Sequence, residues 1–206
     1  MDLVVDGDGC AAWGAQVFRA ALGRAGITRR KREGDHATPQ GEFLLREVLY
    51  RPDRIAIPRT RLPFRALKPE DGWCDAADDP RYNRRVRLPH PASAETLWRE
   101  DHVYDLLAPL GYNDDPVVSG LGSAIFLHVA RPNYPGTEGC IALAVEDLLN
   151  VLEEADATTR VVVRDKRTHS ISCWVVGASL RISRCRRARA WRPGGSRSRS
   201  RRSCPC

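Results

Sequence analysis

The sequence predicts a mainly β domain with one or two helices. Three features carry that expectation. Short apolar runs of strand length are bounded by Gly, Pro, Asn and Asp. One segment, 145–155, has apolar residues at helical spacing, and the stretch 51–96 is punctuated by Pro and Arg without a sustained helical period. At 206 residues and 42% hydrophobic content, the chain is long enough for one well-buried core and too short for two of ordinary size.

The elements follow in order from the same cues. Residues 3–5 and 15–21 cluster as short strands, with Gly7, Asp8 and Gly9 between them supplying the positive-φ tolerance of a hairpin turn. Thr38-Pro39-Gln40-Gly41 then turns the chain into 42–50, a single strand-like run of apolar and aromatic residues. Segment 51–96 reads as long surface loops with short strands. Residues 103–110 and 124–130 are candidate core strands, joined through the Gly/Asn/Asp/Pro connection 111–116. In 145–155, Val145, Leu148, Leu149 and Leu152 share a helical face, and Glu146 and Asp147 suit the positive end of the macrodipole. Residues 160–163 are the expected last strand.

The formal charge of +7 divides unevenly, into −5 over residues 1–163 and +12 over 164–206. The basicity therefore belongs to the tail. A folded domain is expected over 1–164 and an Arg/Ser-rich, disordered tail over 165–206. Nucleic-acid binding is expected, if at all, through that tail alone. Its Arg, Ser, Gly, Pro, Cys and Trp content also fits a solvated tail without a role, or the end of a G/C-rich gene read out of frame. The first residues carry neither the basic segment nor the apolar run of a secretion signal, and the longest apolar runs fall short of the ~20 residues that span a bilayer. Of seven cysteines, Cys10, Cys74 and Cys140 lie in the folded part, too widely spaced to read as a disulfide framework. With no C-x2-C pair and no H-x3-H partner, no metal site is expected.

The chemistry concentrates in residues 123–143. Acyl transfer by cysteine needs a thiolate, a base and backbone N–H donors aimed at the developing oxyanion. His128 ends an apolar strand, and the loop 131–138, with Pro132, Pro135 and Gly136, turns the chain so that Cys140 comes to lie beside the imidazole. Gly139, lacking a Cβ, lets a substrate approach the backbone. Each side chain has a bland reading as well, because a free cysteine is most often a small buried hydrophobe and a lone histidine a satisfied structural residue. Cys74 follows Trp73 with no base near it in sequence, so packing is its expected role.

Three ordered stretches resemble the YkuD/ErfK L,D-transpeptidase catalytic domain family. The first is His128, a loop, then Thr137-Glu138-Gly139-Cys140-Ile141. The second runs from Arg32 to Phe43 and contains Gly34-Asp35-His36-Ala37-Thr38-Pro39-Gln40-Gly41. The third is Gly72-Trp73-Cys74-Asp75 with Tyr82-Asn83. Two positions depart from the pattern. Glu138 stands where many members have His, and Ala142 where many have Arg, which removes an anion contact and bears on substrate preference.

The resemblance implies a β sandwich or partly closed barrel carrying the helix. It implies Cys140 as nucleophile, His128 as base and Gly139 in the oxyanion nest, with the pair reacting as thiolate and imidazolium. Thr137, Glu138, Arg131, Tyr112 and Asn113 become the substrate-binding candidates. Thr137 either meets the imidazole or closes the turn, and Arg131 either binds a substrate carboxylate or stays solvated. Tyr112 and Asn113 either line the cleft or form an ordinary turn. The implied partners are peptidoglycan stem peptides and, as inhibitors, carbapenem β-lactams; no cofactor or metal is required. The implied reaction expels D-alanine from a donor tetrapeptide and joins the acyl group to a neighbouring stem as a 3→3 cross-link. Such a substrate implies the periplasm or cell wall, but no signal peptide is visible, which leaves export by another route, a misassigned start and a cytoplasmic murein-peptide role open. Hydrolysis by the same dyad, as an L,D-carboxypeptidase or endopeptidase, is the nearest alternative, ahead of a non-enzymatic wall-binding module.

Overall fold

The computed structural model describes residues 1–165; the expected disordered tail lies outside the described residues. The chain opens as an antiparallel meander of β1 (Leu3–Asp6), β2 (Cys10–Trp13) and β3 (Gln16–Ala21). The turn at Gly7 to Gly9 thus joins β1 to a strand that small residues conceal, and the expected second strand is the third. β4 (Ile27–Thr28) and β5 (Thr38–Pro39) form a short parallel ladder. The run 42–50 is not one strand but two, β6 (Gly41–Leu44) and β7 (Val48–Tyr50), with β8 (Phe64–Ala66) parallel to the latter. β9 (Asp71–Cys74), β10 (Arg85–Arg87) and β11 (Ala94–Thr96) make a separate antiparallel sheet with β9 in the middle. β12 (Leu106–Pro109), β13 (Phe126–Val129), β14 (Ile141–Leu143), α1 (Val145–Glu154) and β15 (Arg160–Arg164) complete the domain.

The main sheet has ten strands in the order β6-β15-β1-β2-β3-β14-β13-β12-β7-β8. β6 and β7 are therefore eight steps apart in the ladder. Laid flat, eight spacings of about 4.8 Å separate them by nearly 40 Å. Only Leu45, Arg46 and Glu47 connect them, a span of at most about 14 Å. The sheet must curl until its first strand meets its eighth, and it does. Leu45 bridges Leu110, and the Gly111 N–H donates to Leu44 O at 2.8 Å. This closure also splits 42–50, because β6 pairs with β15 while β7 pairs with β12.

Inside the curl lie Leu3, Val5, Trp13, Leu106, Leu127, Ile141 and Leu143, with Leu148, Val151 and Leu152 of α1 packed among them. Val151, rather than the expected Val145, completes the helix's buried face. A second cluster, containing Leu49, Leu107, Phe126, Tyr104 and Cys140, occupies the opposite face of β7, β12 and β13. Strands buried on both faces read as continuous apolar runs rather than alternating ones. The small sheet covers this outer cluster, where Trp73 meets Phe126 edge-on at 5.1 Å between centroids. No described helix is long and apolar enough to cross a membrane.

Candidate active site

The pleat of two neighbouring strands sets the site. β13 and β14 run parallel, pairing Leu127 with Ile141 and His128 with Ala142. Leu127 and Ile141 point into the core, so His128 and Ala142, one residue on, point to the outer face. Cys140, one residue before Ile141, faces the same way. Cys140, His128 and Ala142 all line one cavity of about 410 Å³.

Cys140 is 7% exposed. Its Sγ donates to Ala124 O at 3.1 Å and accepts from the Phe126 N–H at 3.3 Å. Ala124 holds a positive φ of 51°, and its N–H donates to Asn83 Oδ1 at 3.1 Å. Asn83 thus steers the carbonyl that receives the thiol proton. Burial pushes the thiol up to about 12, reinforced by the Glu95 and Glu138 charges and opposed by the Phe126 N–H and Lys31.

His128 is equally enclosed. Its Nδ1 lies 2.9 Å from Val129 O. A carbonyl only accepts, so Nδ1 carries the proton and Nε2 is left as the acceptor nitrogen. Tyr104 packs edge-on to the ring at 5.4 Å. Burial holds the imidazole down at about 4, helped by Arg131 and Arg99 and opposed by Val129 O and Asp101. Both shifts favour the thiol and the neutral imidazole over their charged forms. The thiolate–imidazolium pair expected from the sequence is disfavoured because the site buries both charges without partners.

The loop before Cys140 is pinned at Thr137, whose N–H donates to Leu22 O and whose O accepts from the Arg24 N–H, each at 2.8 Å. Thr137 Oγ1 donates to Cys140 O at 2.6 Å and accepts from the Gly139 N–H at 3.2 Å. Of the two roles open to it, this hydroxyl closes the turn. Gly139 adopts φ +138°, and a Cβ there stands 3.0 Å from Ala37 O. That carbonyl belongs to the second family-like stretch, whose Asp35 accepts from the Arg32 and Ala37 N–H groups and pairs with Lys31. Thr38, fully buried, accepts from the Gly23 N–H at 2.8 Å.

The remaining candidates divide. Glu138 lines the cavity and pairs with Arg24 and His36. Arg131 lines it too and is held by Asp101 at 2.6 Å. Tyr112 and Asn113 do not line it. The Tyr112 hydroxyl donates to Leu121 O, and the Asn113 side chain bonds Val118 and Gly122 within its own loop. Trp73, Tyr82 and Asn83 are framework. The Trp73 indole donates to Asn83 Oδ1 at 2.9 Å, Asn83 Nδ2 donates to Tyr112 O and Asn113 O, and the Gly122 N–H donates to the Tyr82 hydroxyl.

Several polar cavity residues, Lys31, Glu95, Arg99 and Tyr104, lie outside the family-like stretches, whereas Glu33 and Asp75 belong to the second and third of them. The Tyr104 hydroxyl donates to Glu95 at 2.8 Å, and Arg99 forks onto Asp101, which also binds Arg131. Lys31, immediately before the Arg32-to-Phe43 stretch, is the one whose position offers a cue. The free thiols among the described residues are Cys74 and Cys140.

A curled β-sheet that presents a cysteine and a histidine to one cavity from adjacent parallel strands defines a mainly β protein with a thiol-bearing cleft. Residues 3–163 match the model of the YkuD L,D-transpeptidase catalytic domain, and the chain belongs to that family. No curated protein matches the sequence. Among solved structures, Bd1075 of Bdellovibrio bacteriovorus is similar at 16% identity and TM-score 0.39, covering 79% of this chain and 47% of that one. The helical cell shape determining protein Pgp2 of Campylobacter jejuni is similar at 12% identity and TM-score 0.39, covering 86% and 51%. The chain spans about half the length of these structures.

Proposed function

We propose that the protein is a cysteine-dependent L,D-transpeptidase that forms peptidoglycan cross-links through an acyl-enzyme on Cys140. The observation that carries this reading is the shared cavity of Cys140 and His128, with Nδ1 of the imidazole tied to Val129 O and Nε2 left to take a proton. The thiol leaves Ala124 O and passes its proton to Nε2 as sulfur attacks the carbonyl of the donor stem. The Cys140 amide receives the oxyanion, while the Gly139 amide, held by Thr137 Oγ1, fixes the turn that presents it. His128 then protonates the departing D-alanine amine, leaving a thioester. An acceptor amine attacks that thioester, its proton goes to Nε2, and the thiolate leaves and is reprotonated. Because the resting pair is neutral, proton transfer accompanies attack rather than preceding it.

Arg131, Arg99 and Lys31 are the cations on the cavity wall where Ala142 supplies none, and each is already paired, the arginines with Asp101 and Lys31 with Asp35, so a substrate carboxylate reaching them competes with those acids. Mass spectrometry of muropeptides after incubation of tetrapeptide-stem substrates with the protein tests the proposal. Dimers cross-linked 3→3 are expected. Tripeptide products without dimers assign hydrolysis instead, and unchanged substrate refutes both.

A further inference from the structure

Cys74, Asp79 and His90 converge on the small sheet, with one ligand atom from each lying within 4.8 Å of the others. Cys74 ends β9 and is fully buried. The Asp79 and His90 side chains are 16% and 15% exposed, and His90 Nε2 stands 3.3 Å from Asp79 Oδ2. About 3.3 Å is also the edge of a tetrahedron whose nitrogen and oxygen ligands sit about 2.0 Å from its centre. None of the three lines the catalytic cavity.

We propose that Cys74, Asp79 and His90 form a binding site for a divalent metal ion of the zinc class, with water in the fourth position. Sulfur, imidazole nitrogen and a single carboxylate favour zinc over magnesium or calcium, which take oxygen sets. The partly exposed His90 and Asp79 give the ion a way in, and the buried sulfur holds it. On binding, the Cys74 thiol releases its proton to solvent and a metal–sulfur bond forms. The spacing, Cys-x4-Asp-x10-His, matches none of the zinc patterns legible in a sequence, which is why the sequence reading expects no metal. The competing explanation is a metal-free trio in which thiol, carboxylate and imidazole satisfy one another.

The location assigns a structural role. Cys74 opens the connection 74–90 and His90 closes it, so a bound ion staples a loop that carries Tyr82 and Asn83. Those two residues hold the Gly122 and Ala124 amides, and Ala124 O receives the Cys140 thiol proton. The ion thereby braces the cleft from behind without entering its chemistry.

Titration of the chelator-treated full-length chain with Co²⁺ tests this, followed by its thiolate-to-cobalt absorption and then by displacement with Zn²⁺. One equivalent is expected to produce the band. Cys74→Ser should abolish it, His90→Gln should weaken affinity tenfold or more, and Cys140→Ala should leave it intact. Absence of the band in the wild-type chain overturns the proposal. So does a band that survives unchanged in both Cys74→Ser and His90→Gln, since it then belongs to other cysteines. If Cys74→Ser does not fold, His90→Gln decides alone, because its side chain lies partly in solvent.

Discussion

His128 pairs directly with Ala142 across the parallel β13–β14 ladder, and that register brings Cys140 to the same face one pleat away. Sulfur and imidazole are positioned by backbone hydrogen bonds of the sheet rather than by a bond between the two side chains. The thiol proton points at Ala124 O, and the imidazole proton at Val129 O. Removing either side chain should therefore disturb chemistry far more than fold.

The first prediction follows directly. Cys140→Ala should abolish acyl transfer while leaving the melting temperature within a few degrees of wild type. Intact-mass measurement with a carbapenem should show one adduct on wild type and none on the variant. An equal adduct on both places the nucleophile elsewhere.

Thr137 gives a second test. Its hydroxyl fixes the Cys140 carbonyl and the Gly139 amide, and Val keeps the shape without those bonds. Thr137→Val should cost about 1 kcal/mol in stability. Turnover should fall tenfold or more, and Thr137→Ser should restore most of it. If Thr137→Val retains full turnover, the turn does not govern the nucleophile's position.

Gly139 and Asn83 separate local strain from framework. Gly139→Ala must hold φ +138° with its Cβ against Ala37 O, a penalty of roughly 1–3 kcal/mol, read by chemical denaturation. Asn83→Leu strips partners from the Trp73 indole, the Ala124 amide and two loop carbonyls at a site only 3% exposed. It should destabilise by about 2–4 kcal/mol. A loss under about 0.5 kcal/mol in Asn83→Leu removes it from the framework.

The legible and illegible parts of this molecule differ in range. α1, β13 and β15 stand close to their expected spans because their patterns are local: a helical stripe, an apolar run before a histidine, three valines. The division of 42–50 is invisible locally, since nothing in Glu42 to Tyr50 says that the two halves pair with β15 and β12. Cys140 and His128 are legible because a short loop joins two strands. Glu95 and Tyr104 reach the cavity through tertiary packing alone. Tyr112 and Asn113 mislead for the same reason in reverse: their polar groups are spent inside their own loop, which composition does not reveal.

The last prediction concerns the charge state of the resting pair. Burial raises Cys140 to about 12 and lowers His128 to about 4, so both shifts oppose the ion pair. Alkylation of Cys140 in the unliganded protein should then rise with pH at a midpoint above the value of about 8.5 for a free cysteine. His128→Gln should leave that profile nearly unchanged while acyl transfer collapses, because the base acts only as the bond forms. The same shifts bear on stability. For His128 the folded value lies below the unfolded one of about 6.5, so its contribution is complete above that pH and lost as pH falls toward about 4. For Cys140 the contribution is present below the unfolded value and lost as pH rises toward about 12. His128→Gln should accordingly flatten the acid limb of melting temperature against pH and leave the alkaline limb in place. An alkylation midpoint below about 7 in the wild-type protein, abolished in His128→Gln, establishes a resting ion pair and overturns the neutral one.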